Sequence, residues 1–141
     1  MQKNKTCSRQ QIMSSYKKIL FIDDNYGDLF YVRKIIELFK IPLEPHFGNN
    51  AIEALEYLES IEQADFPDII MVDINMPLVN GFEFISSFKK KFPTKVENTT
   101  IYIISTSSRQ SDKNKIKQFS IIQDYIEKPI SREFLFELAK N

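Results

Sequence analysis

The sequence predicts one α/β domain built on a parallel sheet with helices on both faces, and three observations predict it. Ile19-Leu20-Phe21-Ile22, Ile69-Ile70-Met71-Val72 and Ile101-Tyr102-Ile103-Ile104 are runs of four apolar residues. They lack the polar alternate positions of a half-exposed strand, as strands buried on both faces do. The stretches between them carry apolar residues at helical spacing. Each run, moreover, ends in polar chemistry: Asp23-Asp24, Asp73, and Ser105-Thr106-Ser107-Ser108.

In chain order, residues 1–17 form a polar tail and 18–141 the folded domain, with a short helix around Arg9 to Tyr16 left open. Strand Lys18–Ile22 is followed by a helix over Asp28–Phe39, with Leu29, Val32, Ile35, Ile36 and Phe39 on one face and Asp and Asn before it as caps. Leu43–Phe47 is a short strand whose Pro45 has no ladder donor, which assigns it to a sheet edge. After Gly48-Asn49-Asn50 comes a helix carrying Ala51, Ile52, Ala54, Leu55, Leu58 and Ile61. The strand ending at Asp73 leads through Met76-Pro77 and Asn80-Gly81 into a helix with Phe82, Phe84, Ile85 and Phe88, closed by Lys89-Lys90-Lys91, whose charge suits a helix carbonyl end. Pro93–Thr99 reads as a loop and Thr100–Ser105 as a strand. Arg109–Phe119 is helical, but only Ile116 and Phe119 anchor it, so it is expected to be weakly held. A last strand, Asp124–Glu127, and a closing helix with Phe134, Leu135 and Leu138 complete five strand-then-helix repeats.

Composition excludes several classes of function. Nineteen basic residues balance 19 acidic ones, so no global charge draws the chain to nucleic acid or to a membrane surface. No run reaches the length of a membrane span, and the tail lacks the apolar core of a signal peptide. The one cysteine, Cys7, excludes an internal disulfide and a cysteine zinc site, and suits a reducing cytoplasm. His46, without a second histidine and with only Cys7 as a thiol, reads as a surface residue and not a metal ligand.

In open parallel sheets, ligands bind beyond the carboxyl ends of the strands where strand order reverses. The ends of the first, third, fourth and fifth strands supply Asp23 and Asp24, Asp73, Thr106 and Lys128. Three carboxylates in one cleft repel one another unless a cation neutralises them. Mg²⁺, a hard ion that takes one or two carboxylates and keeps waters for a phosphate oxygen, fits that donor set. Across the cleft, a lysine and a hydroxyl can hold the other oxygens of a transferring phosphoryl group, and catalysis of that transfer is mostly such positioning. Taken singly, Asp73 is a turn former as readily as a reagent, and Thr106 a helix cap.

Ile22-Asp23-Asp24-Asn25, Val72-Asp73-Ile74-Asn75-Met76-Pro77 with Gly81, Ser105-Thr106-Ser107 and Glu127-Lys128-Pro129 together resemble the receiver domain of two-component response regulators, from Lys18 to Asn141. The resemblance implies a five-stranded flavodoxin-like sheet in 2-1-3-4-5 order. It further implies that Asp73 is the phosphoacceptor, and that Asp23, Asp24, Asp73 and the backbone carbonyl of Asn75 hold Mg²⁺. Thr106 would bind a phosphoryl oxygen and Lys128 would pair with the group. Thr106 and Tyr125 match the family's switch pair, Thr106 moving toward the phosphoryl group and Tyr125 following, against the plain reading of Tyr125 as an amphipathic edge residue. Asn75 and Ser108 match positions that tune phosphoryl lifetime. The peptide before Pro129 is often cis in the family, against about one in twenty for X-Pro bonds generally. Two departures stand out: Ser120–Gln123 has no glycine before the last strand, and the final helix has room for about 12 residues, about 18 Å.

The expected function is that of a stand-alone response regulator that is not a classical enzyme. A sensor histidine kinase or phosphotransfer protein phosphorylates Asp73, and a surface including Arg109–Phe119 switches toward a downstream protein. No nucleic-acid contact or membrane insertion is expected, and homodimerisation stays open. Asp23–Asp28 with Asn49–Leu58 also resembles single-domain receivers that serve bacteriophytochrome kinases. The alternatives are a pseudo-receiver that binds partners without phosphorylation, which the complete acidic set disfavours, and a Mg²⁺-dependent aspartyl-phosphate phosphatase, which would need an acid where Asn75 stands. A nucleotide-binding domain lacks its glycine-rich loops here.

Overall fold

A computed structural model describes residues 16–106 and 110–140. Most of the tail, together with Ser107, Ser108 and Arg109, lies outside the described residues. The elements alternate: β1 (Lys17–Ile22), α1 (Tyr26–Leu38), β2 (Leu43–Gly48), α2 (Ala51–Ser60), β3 (Ile69–Asp73), α3 (Gly81–Lys91), β4 (Thr100–Ser105), α4 (Gln110–Ile116), β5 (Ile122–Glu127) and α5 (Arg132–Ala139). The five strands pair in parallel in the order β2-β1-β3-β4-β5. Pro45 lies on edge strand β2, opposite Ile19, as its missing donor requires.

Strict alternation along the central strands divides the core in two. Leu20, Ile22, Ile70, Val72, Ile101 and Ile103 face one cluster with Ala54 and Leu58 of α2 and Phe84, Ile85 and Phe88 of α3. Ile19, Phe21, Ile69, Met71 and Ile104 face the other, with Leu29, Val32 and Ile36 of α1 and Leu135 and Leu138 of α5. Each fully buried Val, Leu, Ile, Phe or Met among them contributes roughly 1.5–3 kcal/mol of transfer free energy. That is why the all-apolar runs occupy the middle of the sheet.

Polar side chains start the helices. Asn25 accepts from the Asp28 N–H, Asn50 from Glu53, and Ser131 from Phe134, while Asn80 and Glu83 form a reciprocal capping box on α3. α4 has 7 residues and stops at Ile116, a turn short of the predicted end at Phe119. Beyond it the chain continues in tight turns, Gln118 N–H to Lys115 and Phe119 N–H to Ile116. Phe119 still anchors the segment by stacking on Phe82 at 5.5 Å. α5, at 8 residues, is also shorter than the room available.

β5 begins at Ile122, earlier than predicted, and contains an irregularity at the turn that lacks glycine. Ile101 pairs with Ile122, but Tyr102 pairs with Asp124, leaving Gln123 as an extra residue. A bulge of this kind flips the alternation of everything beyond it. Ile122 and Tyr125, three positions apart, therefore pack against the same cluster, that of α2 and α3.

Candidate functional site

The chain leaves β1 toward β2 on one side and returns to β3 on the other, so the carboxyl ends of β1 and β3 flank the crevice where ligands bind in such sheets. Asp23, the first residue after β1, is fixed by its N–H donating to the Gly48 carbonyl at 3.1 Å. Asp73 is the last residue of β3, opposite Ile104, and the next N–H, of Ile74, donates to the Ile104 carbonyl at 3.2 Å. Both side chains are buried, Asp23 at 1% and Asp73 at 6% exposure, whereas Asp24 is open to solvent. Gly81 opens α3 directly behind them: a Cβ there would stand 2.6 Å from the Asp73 carbonyl oxygen, so only glycine lets the helix start this close to the strand end. The intervening loop turns through exposed Leu78 in the left-handed region, at φ 69°.

Carboxylate oxygens of Asp23, Asp24 and Asp73 lie within 4.8 Å of one another. Lys128 enters from β5, its N–H donating to the Ser105 carbonyl at 2.9 Å and its peptide bond to Pro129 cis. Its Nζ stands 2.6 Å from Asp23 Oδ2, 2.8 Å from Asp28 Oδ2 and 3.6 Å from Asp73 Oδ2. Burial, and then the charge of Asp23, push the Asp73 carboxyl up to about 6; Lys128 and the backbone N–H of Asn75, which donates to the carboxylate, pull the other way. For Lys128 burial works against the charged form, but its hydrogen bonds to Asp23 and Asp28 outweigh it and raise the ammonium pKa.

These residues suit a hard divalent cation. Three oxygen donors within 4.8 Å, two of them buried and opposed among the described residues by the Lys128 ammonium, leave an excess of negative charge that one lysine cannot neutralise. Exposed Asp24 marks the side from which a hydrated ion can enter.

The structure thus gathers Asp23, Asp24, Asp73 and Lys128 at one point, with exposed Asn75 beside them. Thr106 is exposed and directly follows β4, one position beyond Ser105, whose carbonyl accepts the Lys128 N–H. Ser108 lies outside the described residues. Tyr125 is half-buried against the α2–α3 cluster, and its hydroxyl is buried with no hydrogen-bond partner among the described residues. His46 is exposed, as expected, and stacks on Tyr57 with ring centres 3.7 Å apart. One residue of the cleft was given no role there by the sequence reading: Asp28, which begins the predicted helix and ends the Asp23–Asp28 stretch, holds Lys128 from 100 positions away. Its only sequence signal was an acid in the first turn of a helix that follows the acidic pair.

A doubly wound sheet with an acidic triad at its switch point and a lysine facing it defines the receiver class of signalling domain. This chain belongs to it: residues 19–140 match the family described as the response regulator receiver domain. Sensor histidine kinase CheAY of Helicobacter pylori is 31% identical over 86% of the chain, which spans 14% of that protein's length. Protein PilH of Pseudomonas aeruginosa is 26% identical over 85% of the chain and 92% of its own length. Among solved structures, a response regulator receiver protein from Dyadobacter fermentans superposes with a TM-score of 0.75 at 27% identity, covering 88% of this chain and 95% of that one.

Proposed function

We propose that this protein accepts a phosphoryl group on Asp73 from a sensor histidine kinase or phosphotransfer protein and thereby switches a protein-binding surface. The observation that carries the reading is the placement of Asp73: a buried carboxylate at the end of a central strand, with two further acids and a lysine around it. Asp73 Oδ attacks phosphorus in line with the leaving group; an O–P bond forms as the donor's N–P bond breaks, and the released imidazole takes up a proton. Lys128 and Thr106 would meet the phosphoryl oxygens, a reading supported by Lys128 Nζ standing 3.6 Å from Asp73 Oδ2 and by Thr106 following β4 directly. Asp23, Asp24, Asp73 and the Asn75 carbonyl are the groups that would hold Mg²⁺, which when bound offsets the charge of the phosphoryl oxygens. At neutral pH an acid with a pKa of about 6 is mostly ionised and available as a nucleophile.

Beyond the site, Tyr125 and the short α4 form the surface that responds, Tyr125 because the bulge at Gln123 turns it toward the same cluster as Ile116 and Phe119. The downstream target is a protein, and the resemblance of Asp23–Asp28 together with Asn49–Leu58 to receivers serving bacteriophytochrome kinases makes a kinase of that type one candidate donor. Incubation with Mg²⁺ and acetyl phosphate is expected to add the mass of one phosphoryl group, and Asp73→Asn to abolish the gain. No gain in the parent protein would favour the phosphorylation-independent partner module; multiple turnover of unrelated phosphoesters would favour a phosphatase.

A further inference from the structure

We propose that Asp28 is a positioning residue for Lys128, holding its ammonium on the α1 side of the cleft in competition with Asp73 and with the phosphoryl group that Asp73 would carry. The inference rests on the reading of Asp73 as phosphoacceptor. Lys128 makes short contacts to Asp23 and Asp28, at 2.6 and 2.8 Å, in the range of charge-assisted hydrogen bonds. Asp73, at 3.6 Å, is beyond hydrogen-bond reach. The lysine that must meet the phosphoryl group is therefore drawn away from the atom that would bear it.

Helix capping does not account for Asp28. Its backbone N–H is already capped by Asn25, and its carboxylate crosses instead to another element. Of the two carboxylates that hold Lys128, Asp28 is the one that can let go. Its side chain is 42% exposed and regains water on release, whereas that of Asp23 is 2% exposed and would be left buried without its partner. A phosphoryl group carries more negative charge than the carboxylate it modifies. Its arrival thus tips the competition, and the contact that ties the first turn of α1 to the β5–α5 connection is released.

Beryllofluoride, a phosphoryl mimic, provides the test when titrated with Mg²⁺. Asp28→Asn is expected to bind it about three- to tenfold more tightly than the parent, and Asp28→Glu, which keeps the charge, within about twofold. In a Lys128→Met background the effect of Asp28→Asn should vanish, since it acts through the lysine. The Lys128 ammonium resonance, followed by ¹⁵N NMR, should shift on Asp28→Asn in the direction that beryllofluoride shifts it in the parent. Unchanged or weaker binding by Asp28→Asn, or an equal gain without Lys128, overturns the inference and leaves the phosphoacceptor reading standing. A parent that neither binds beryllofluoride nor is labelled by acetyl phosphate overturns both.

Discussion

Asp73 carries the conflict at the centre of this molecule, a carboxylate that burial and Asp23 disfavour as an anion yet whose proposed chemistry requires one. Its folded-state pKa of about 6 lies above the ordinary 3.8, so the folded protein binds this proton more tightly than the unfolded chain does. The resulting stabilisation is fully present below pH 3.8 and is lost as pH rises through about 6. Above that the ionised group costs the fold roughly 1–3 kcal/mol. Asp73→Asn, neutral at every pH, should therefore be more stable than the parent at pH 7.5 in EDTA by about that amount, and equal to it near pH 4. Urea unfolding of the two proteins across that range checks it; a constant difference would show that Asp73 is not the titrating group. At this scale the sequence disclosed the strand-end acids because they follow runs of apolar residues, and the lysine because it stands in Glu127-Lys128-Pro129 at the end of the last strand. It could not disclose Asp28, whose partner is 100 residues distant and whose position in a helix first turn has an ordinary explanation.

Among the elements, β1, β3 and β4 were legible from composition alone, since a strand buried on both faces has no polar alternation to obscure it. The weak elements were legible in kind but not in extent. Helix α4 ends early because Ile116 is the one apolar residue within it and Phe119 anchors the turns that follow, and β5 begins early because the bulge at Gln123 lets Ile122 join the core out of phase with Tyr125. A bulge leaves no trace in a run of four residues that already alternates. It also places the Tyr125 hydroxyl where no described residue satisfies it. Removing an unsatisfied buried hydroxyl removes a desolvation cost, so Tyr125→Phe is expected to raise stability by about 0.5–2 kcal/mol. Thermal unfolding is the measurement, and a loss of stability of similar size would reveal a hydrogen bond made by that hydroxyl in solution.

For the whole molecule, the charge gathered at one end of the sheet predicts linkage between ion binding and folding. Mg²⁺ bound by the folded protein alone, at 100 times its dissociation constant, would add about 2.7 kcal/mol and raise the melting temperature by several degrees. Asp73→Asn, having lost a ligand, should gain much less; an equal gain in both would place the ion elsewhere. Chelation with EDTA should return the parent to its starting value.

The sheet that separates the two clusters is one strand thick, and the side chains on its faces do not meet. Substitutions in the layer of α2 and α3 should therefore combine additively with those in the layer of α1 and α5. Exchanging one layer's helix-facing residues between related chains is expected to leave the other cluster's packing intact. Lys128 and its three acids are the exception: they join β1, β3 and β5 to α1 through direct contacts, so a hybrid whose junction divides them would inherit two sound cores and a mismatched switch.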